Sequence, residues 1–147
     1  MVKVNKIPKF DIQASISAIS SIVPIEFVDI NINLCGLFEY PSEELPQGRI
    51  EVNANHSPIV QFQSVIHEFV HFIDIVENGN GNNALIDSEV IAFAAENVII
   101  NNVPIDIAIR SSANRVRDCY PVGFSPCMVE PADVEQVVER VRAVIGC

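Results

Sequence analysis

Basic residues are scarce in this chain. Nine Lys and Arg stand against 19 Asp and Glu in 147 residues, a net charge of −10, with no basic run of any length. A nucleic-acid binder normally carries a basic face that displaces counterions from phosphates, so that class is disfavoured. The acidity favours solubility and a basic or neutral protein partner. The cysteines Cys35, Cys119, Cys127 and Cys147 form no C-x-x-C pair, which removes zinc ribbons and thioredoxin-like redox motifs. Reduced, mostly buried thiols are expected; a Cys119–Cys127 bridge is an alternative with only proximity behind it. Long apolar runs are lacking too, because charged or amide residues interrupt every candidate before the roughly 20 residues a membrane span requires. "MVKVNKIPKF" is followed by no apolar stretch or small-residue cleavage site, so no signal peptide and a cytoplasmic location are expected. Repeats, low-complexity tracts and linkers are missing as well. The expectation is one domain over 1–147, long enough to bury a core without staples.

What remains is an α+β pattern. "DIQASISAISSIV" (Asp11 to Val23) reads as a helix stopped by Pro24, and the β-branched, aromatic "IEFVDINI" (Ile25 to Ile32) as a strand. Leu34 to Gly48, with two prolines and two glycines, reads mainly as loop, and "GRIEVN" (Gly48 to Asn53) as a second short strand. Ser57-Pro58 supplies an N-cap followed by proline at the first helical position, predicting a helix to about Glu77, where "NGNGNN" breaks it. Further helices are expected from about Ala84 to Ile100 and from Pro104 to about Arg115. Asp118 to Pro131 reads as irregular. A last amphipathic helix opens at Glu130-Pro131, carries Val134, Val137, Val138, Val141, Val144 and Ile145 on one face, and ends at Gly146.

The chemistry is concentrated in "SVIHEFVHFID", Ser64 to Asp74, where His67, Glu68 and His71 form H-E-x-x-H. Four residues of helix advance about 400°, so both imidazoles project from nearly the same side, one turn apart. That spacing lets both bind one zinc ion. The metal lowers the pKa of a bound water, and Glu68, beside the ligands, removes its proton. The alternative is a pair of core histidines satisfied by backbone or carboxylate partners. Against it, two of only three histidines in the chain flank a glutamate within Val, Ile and Phe, where an unpaired carboxylate costs several kcal/mol.

A catalytic zinc usually takes three protein ligands and keeps a fourth position open. The next helix, "ALIDSEVIAFAAENVII", is apolar nearly all round and therefore buried, and it carries Glu89 and Glu96. Glu89 is the expected third ligand; its alternative role is a first-turn carboxylate favoured by the helix dipole after a possible Asp87 cap. Glu96, on the same face two turns on, is better read as a carboxylate near the wetter end pairing with an arginine. Asp74 shares the histidine stripe and is a candidate acceptor for His71. Glu77 occupies the third-ligand position of H-E-x-x-H-x-x-G-x-x-H, but that pattern needs glycine where Asp74 stands, so Glu77 is rejected. Tyr120, His56 and Arg117 are candidate oxyanion donors, each with an ordinary loop or surface role as the alternative.

"HEFVH" followed by "SEVIAFAAENVI" resembles the gluzincin arrangement, H-E-x-x-H on one helix and a glutamate on the next. Glu89, Phe93, Ala94 and Ala95 resemble the E-A-N-x-F-A-A segment of ImmA/IrrE-like zinc peptidases, with Ile91 in place of its asparagine. Small phage-encoded metallopeptidases have a similar pairing. The resemblance covers about the middle third of the chain. It implies ligands His67, His71 and Glu89, general base Glu68, and "GRIEVN" as the edge strand that aligns a peptide.

The expectation is a minimal zincin-like fold: a small N-terminal sheet packed on an active-site helix and a second ligand-bearing helix, with a helical C-terminal part. Its expected activity is hydrolysis of peptide bonds by a metal-activated water on a specific peptide or protein substrate, with one Zn²⁺ per chain and with Glu68 and Tyr120 catalytic. The alternatives are a zinc-stabilised protein-binding factor without turnover and a zinc hydrolase of non-peptide substrates. No membrane or nucleic-acid partner is expected.

Overall fold

The computed structural model describes residues 11–30, 34–79, 85–119 and 129–146. Helix α1 (Ile12–Ser20) starts where the Asp11 carboxylate accepts the Ala14 N–H at 3.0 Å. It ends short of Pro24, which leads into strand β1 (Ile25–Val28). Strand β2 (Gly36–Glu39) follows, then β3 (Arg49–Asn53). The sheet order is β1-β3-β2, with β1 parallel and β2 antiparallel to β3. Ile50 and Val52 are fully buried while Arg49 and Glu51 are half-buried, the period-two pattern of a strand with one face on the core.

Two expectations fail here. β2 lies inside the segment read as loop, because Gly36 is a packing glycine rather than a turn residue. A Cβ at Gly36 would sit 2.7 Å from the Glu51 carbonyl oxygen, 3.5 Å from Ser64 Cβ and 3.6 Å from Glu68 Cγ. The missing side chain thus lets the strand approach its neighbour and the helix above. "GRIEVN" is not an edge strand: β3 is central, hydrogen-bonded on both sides. The open edge nearest the site is β2. Gly48, by contrast, is a true turn glycine with φ +78°, and a Cβ there would strike the Phe38 ring at 2.7 Å.

Helix α2 (Pro58–Phe72) begins with Pro58 at its first position and the Ser57 hydroxyl accepting from the Val60 N–H at 3.5 Å. After Phe72 the helix widens into a five-residue π turn, Ile73–Glu77, an irregularity that often accompanies functional sites. Arg140 grips the end of this turn, donating to the Glu77 carboxylate at 2.8 and 2.7 Å. By length and mean hydropathy (1.2), Pro58–Glu77 passes as a membrane span, yet 67% of it is buried inside the fold; it is the core helix. Phe62, Val65, Ile66, Phe69 and Val70 are fully buried.

Helix α3 (Leu85–Asn101) packs against α2, α4 (Ile105–Cys119) and α5 (Pro131–Ile145). Three neighbours explain why it is apolar nearly all round. α4 runs one turn past the expected Arg115. α5 opens on a capping box between Glu130 and Asp133 and stops at Gly146, φ +84°. Val134, Val137, Val138 and Val141 face the core as the sequence predicts. The fold is α+β and mostly helical, with a small three-stranded sheet.

Candidate metal centre

Both histidines of H-E-x-x-H are held by side chains of α3. His67 and His71 lie one turn apart on α2, their rings 5.0 Å apart and inclined at 74°. Glu89, near the start of α3, reaches both: His67 Nε2 donates to Glu89 Oε1 at 3.0 Å and His71 Nε2 to the same oxygen at 2.7 Å. The two imidazoles and the carboxylate thus offer donor atoms within 4.8 Å of one another, a cluster that can hold a metal ion.

The opposite ring nitrogens are also occupied. His67 Nδ1 donates to Glu96 Oε1 at 3.2 Å, and His71 Nδ1 lies 2.9 Å from Ser88 Oγ. Anchoring both Nδ1 atoms fixes the ring orientations and leaves both Nε2 lone pairs free for a cation once their protons leave, the arrangement that surrounds metal-ligating histidines generally. The donor set therefore fits a divalent metal at the common point of the three side chains.

Glu68 is 8% exposed and lies beside the cluster without joining it. Burial pushes its carboxyl above the usual range, the charges of His67 and His71 pull it down, and those of Glu89 and Glu96 add to the rise. For His67, burial disfavours the charged ring, but hydrogen bonds to Glu89 and Glu96 and the charge of Glu68 outweigh it and raise the imidazole to about 10. Glu89 shows the reciprocal effect: burial opposes ionisation, and the bonds from His67 and His71 hold its carboxyl well below the usual carboxylate range.

Two grooves meet at the cluster. The larger, about 460 Å³, runs between Cys35 and Gly36 on one side and Phe93, Asn97 and Arg115 on the other. The smaller, about 230 Å³, is bordered by Leu37, Phe38, Tyr40 and Ile75. Gly36, His67, Glu68 and Glu89 line both, so the two form one cleft crossing the donors. β2 forms its wall. The Cys35 carbonyl accepts from the Asn53 N–H, so by alternation the backbone groups of Gly36 and Phe38 point away from β3, toward the open edge.

Several expected partners lie elsewhere. Glu96 is not paired with an arginine; it receives His67 Nδ1, because its seven-residue spacing from Glu89 returns it to the face over α2. The group at His71 Nδ1 is Ser88 rather than Asp74, which is 3% exposed on the π turn. Glu77 is held by Arg140. Arg117 is bonded to Asn114, and His56 precedes α2; neither lines the two grooves. Tyr120 and the Cys119–Cys127 pair fall outside the described residues or side chains, while Cys35 is a free, exposed thiol. Gly36, Ser88 and Arg115 carried no sequence signal of their own, although Ser88 adjoins Glu89 in "DSEV".

No family model, no curated protein and no solved structure matches this chain.

Proposed function

We propose that the chain is a small zinc-dependent peptidase of gluzincin type, related in plan to the ImmA/IrrE-like and phage-encoded enzymes and built on a minimal zincin-like fold. The observation that carries this reading is the convergence of His67 Nε2, His71 Nε2 and Glu89 Oε1 beside a buried Glu68 in a two-sided cleft. Two imidazoles and a carboxylate also suit non-haem iron; the adjoining Glu68, which ligates nothing, favours zinc and hydrolysis. Bound zinc supplies an activated water and polarises the scissile carbonyl.

The chain's own residues do the rest. Glu89, His67 and His71 hold the ion, and Glu96 and Ser88 hold the two rings. Glu68, its carboxyl raised above the usual range by burial, takes the proton from water during attack and passes it to the leaving amine. The outward backbone groups of Gly36 and Phe38 align an extended peptide along β2, the role first expected of β3. A cytoplasmic location belongs to the same reading, since the Cys35 thiol stays reduced there.

The test is cleavage of mixed peptide pools by the zinc-loaded chain, read by mass spectrometry. Wild type should cut, and Glu68→Gln should lose about 10²–10⁴-fold in rate while keeping its metal. A zinc-loaded wild type that cuts nothing, or a Glu68→Gln variant equally active, contradicts the peptidase and favours the binding factor.

A further inference from the structure

The larger groove is lined by three glutamates, Glu68, Glu89 and Glu96, and among its lining residues Arg115 is the one arginine or lysine. The guanidinium carbon of Arg115 lies 4.0 Å from the centre of the Phe93 ring, and Phe93 packs 4.4 Å from the His67 imidazole. The arginine is thus braced by one aromatic ring against a metal-donor histidine. Stacking covers the flat face of a guanidinium and leaves its N–H edge available for a planar partner.

That edge has no carboxylate partner among the described residues. Arg49 and Arg140 both grip glutamates, at 2.6 and 2.7 Å. Glu96, which lines the same groove, is turned to His67 Nδ1 at 3.2 Å instead. An exposed arginine held by an aromatic ring beside three glutamates, yet paired with none, is placed for something that enters the groove.

We propose that Arg115 selects the substrate: it receives a carboxylate of a peptide that crosses His67 and Glu68. The inference rests on the peptidase reading for the direction in which the peptide lies. A carboxylate matches the bidentate edge of one guanidinium. A phosphate fits less well, because phosphate sites gather several arginines and a dianion beside three glutamates meets stronger repulsion. The carboxylate comes either from an acidic side chain or from the substrate's own C-terminus. Its two ring contacts, through Phe93 to His67, put the Arg115 guanidinium within about three extended residues of the His67 ring, at roughly 3.3–3.4 Å per residue.

The experiment reads binding rather than cleavage, so a chain that binds without cutting removes the peptidase and leaves this inference standing. Fluorescent peptide pools differing only in Glu, Gln or Lys at the positions flanking a central apolar residue are titrated onto the zinc-loaded full chain carrying Glu68→Gln. Each pool is made with a free and with an amidated C-terminus. Glu pools should bind about ten-fold tighter than Gln pools. A preference kept by amidated peptides identifies the acidic side chain, and a preference tied to the free terminus identifies the α-carboxylate.

Arg115→Met, which keeps the contact with Phe93, should abolish the preference, and Arg115→Glu should reverse it toward Lys. Equal binding of Glu and Gln pools with a free terminus no tighter than an amide, retention of neither, or a preference that survives Arg115→Met overturns the proposal.

Discussion

Two clusters of charge in this molecule are built from the same acids and different bases. On the sheet, Arg49 of β3 holds Glu39 of β2 at 2.6 and 3.0 Å, Glu26 of β1 at 3.2 Å and Glu51 at 3.5 Å. One arginine thereby ties all three strands. Between α2 and α3, His67 and His71 share Glu89, with Glu96 and Ser88 behind them. The first cluster is closed. A guanidinium keeps its proton at any ordinary pH and offers no lone pair, so no cation can replace it.

The second cluster is exchangeable. Its protons sit on the Nε2 atoms that a metal needs, and one cation at that point can take the place of the shared hydrogen bonds. Burial deepens the difference: the helix cluster is enclosed while the sheet cluster meets solvent. Acidic residues around a cation therefore mark a metal site only when the cation is one that can leave.

The largest expected effect on metal affinity, short of removing a ligand, is that of Glu96→Gln. Weakening the carboxylate behind His67 should lower zinc affinity about 10–100-fold in a competition titration with a chelator. An unchanged affinity would reduce Glu96 to a bystander. Next comes pH. In the metal-free chain His67 is raised from 6.5 to about 10, so its contribution to stability is fully present below pH 6.5 and lost as pH climbs through 10. Chelator-treated protein should melt progressively lower across that window. Zinc-loaded protein should be flatter, because the ion and not a proton holds the ring.

The smallest effect is expected on the sheet. Arg49→Met should lower the melting temperature slightly, since its ion pairs lie half-buried at the surface, where solvent screens them. It should leave intact the gain from zinc, about 2.7 kcal/mol at a hundred-fold excess over the dissociation constant. A loss of zinc binding in Arg49→Met would show that the two clusters are coupled through β2.

The helical half of the fold was legible because its signals are local. Proline at the start of α2 and α5, glycine at the end of α5, and the valine stripe of α5 each act within a few residues. The site was legible where spacing alone fixes geometry, in the four-residue step from His67 to His71; the seven-residue step from Glu89 placed Glu96 on the same face without revealing that it meets His67 rather than an arginine. The sheet was less so, because central or edge position depends on partners distant in sequence. β3 pairs with β1 across a parallel crossover and with β2 across a turn, and nothing in "GRIEVN" encodes both. Gly36 illustrates the same limit, since a packing glycine and a turn glycine look alike until the opposing atoms are known. Ser88 and Arg115 belong with it; each acquires meaning only from the ring it meets.

The central claim is that His67, His71 and Glu89 hold one metal ion and that Glu68 does not. Elemental analysis of wild type, Glu68→Gln and Glu89→Gln, purified identically and dialysed against zinc, tests it most directly. The expected result is about one zinc per chain in wild type and Glu68→Gln and a large loss in Glu89→Gln. No metal in wild type, or full occupancy in Glu89→Gln, would contradict it.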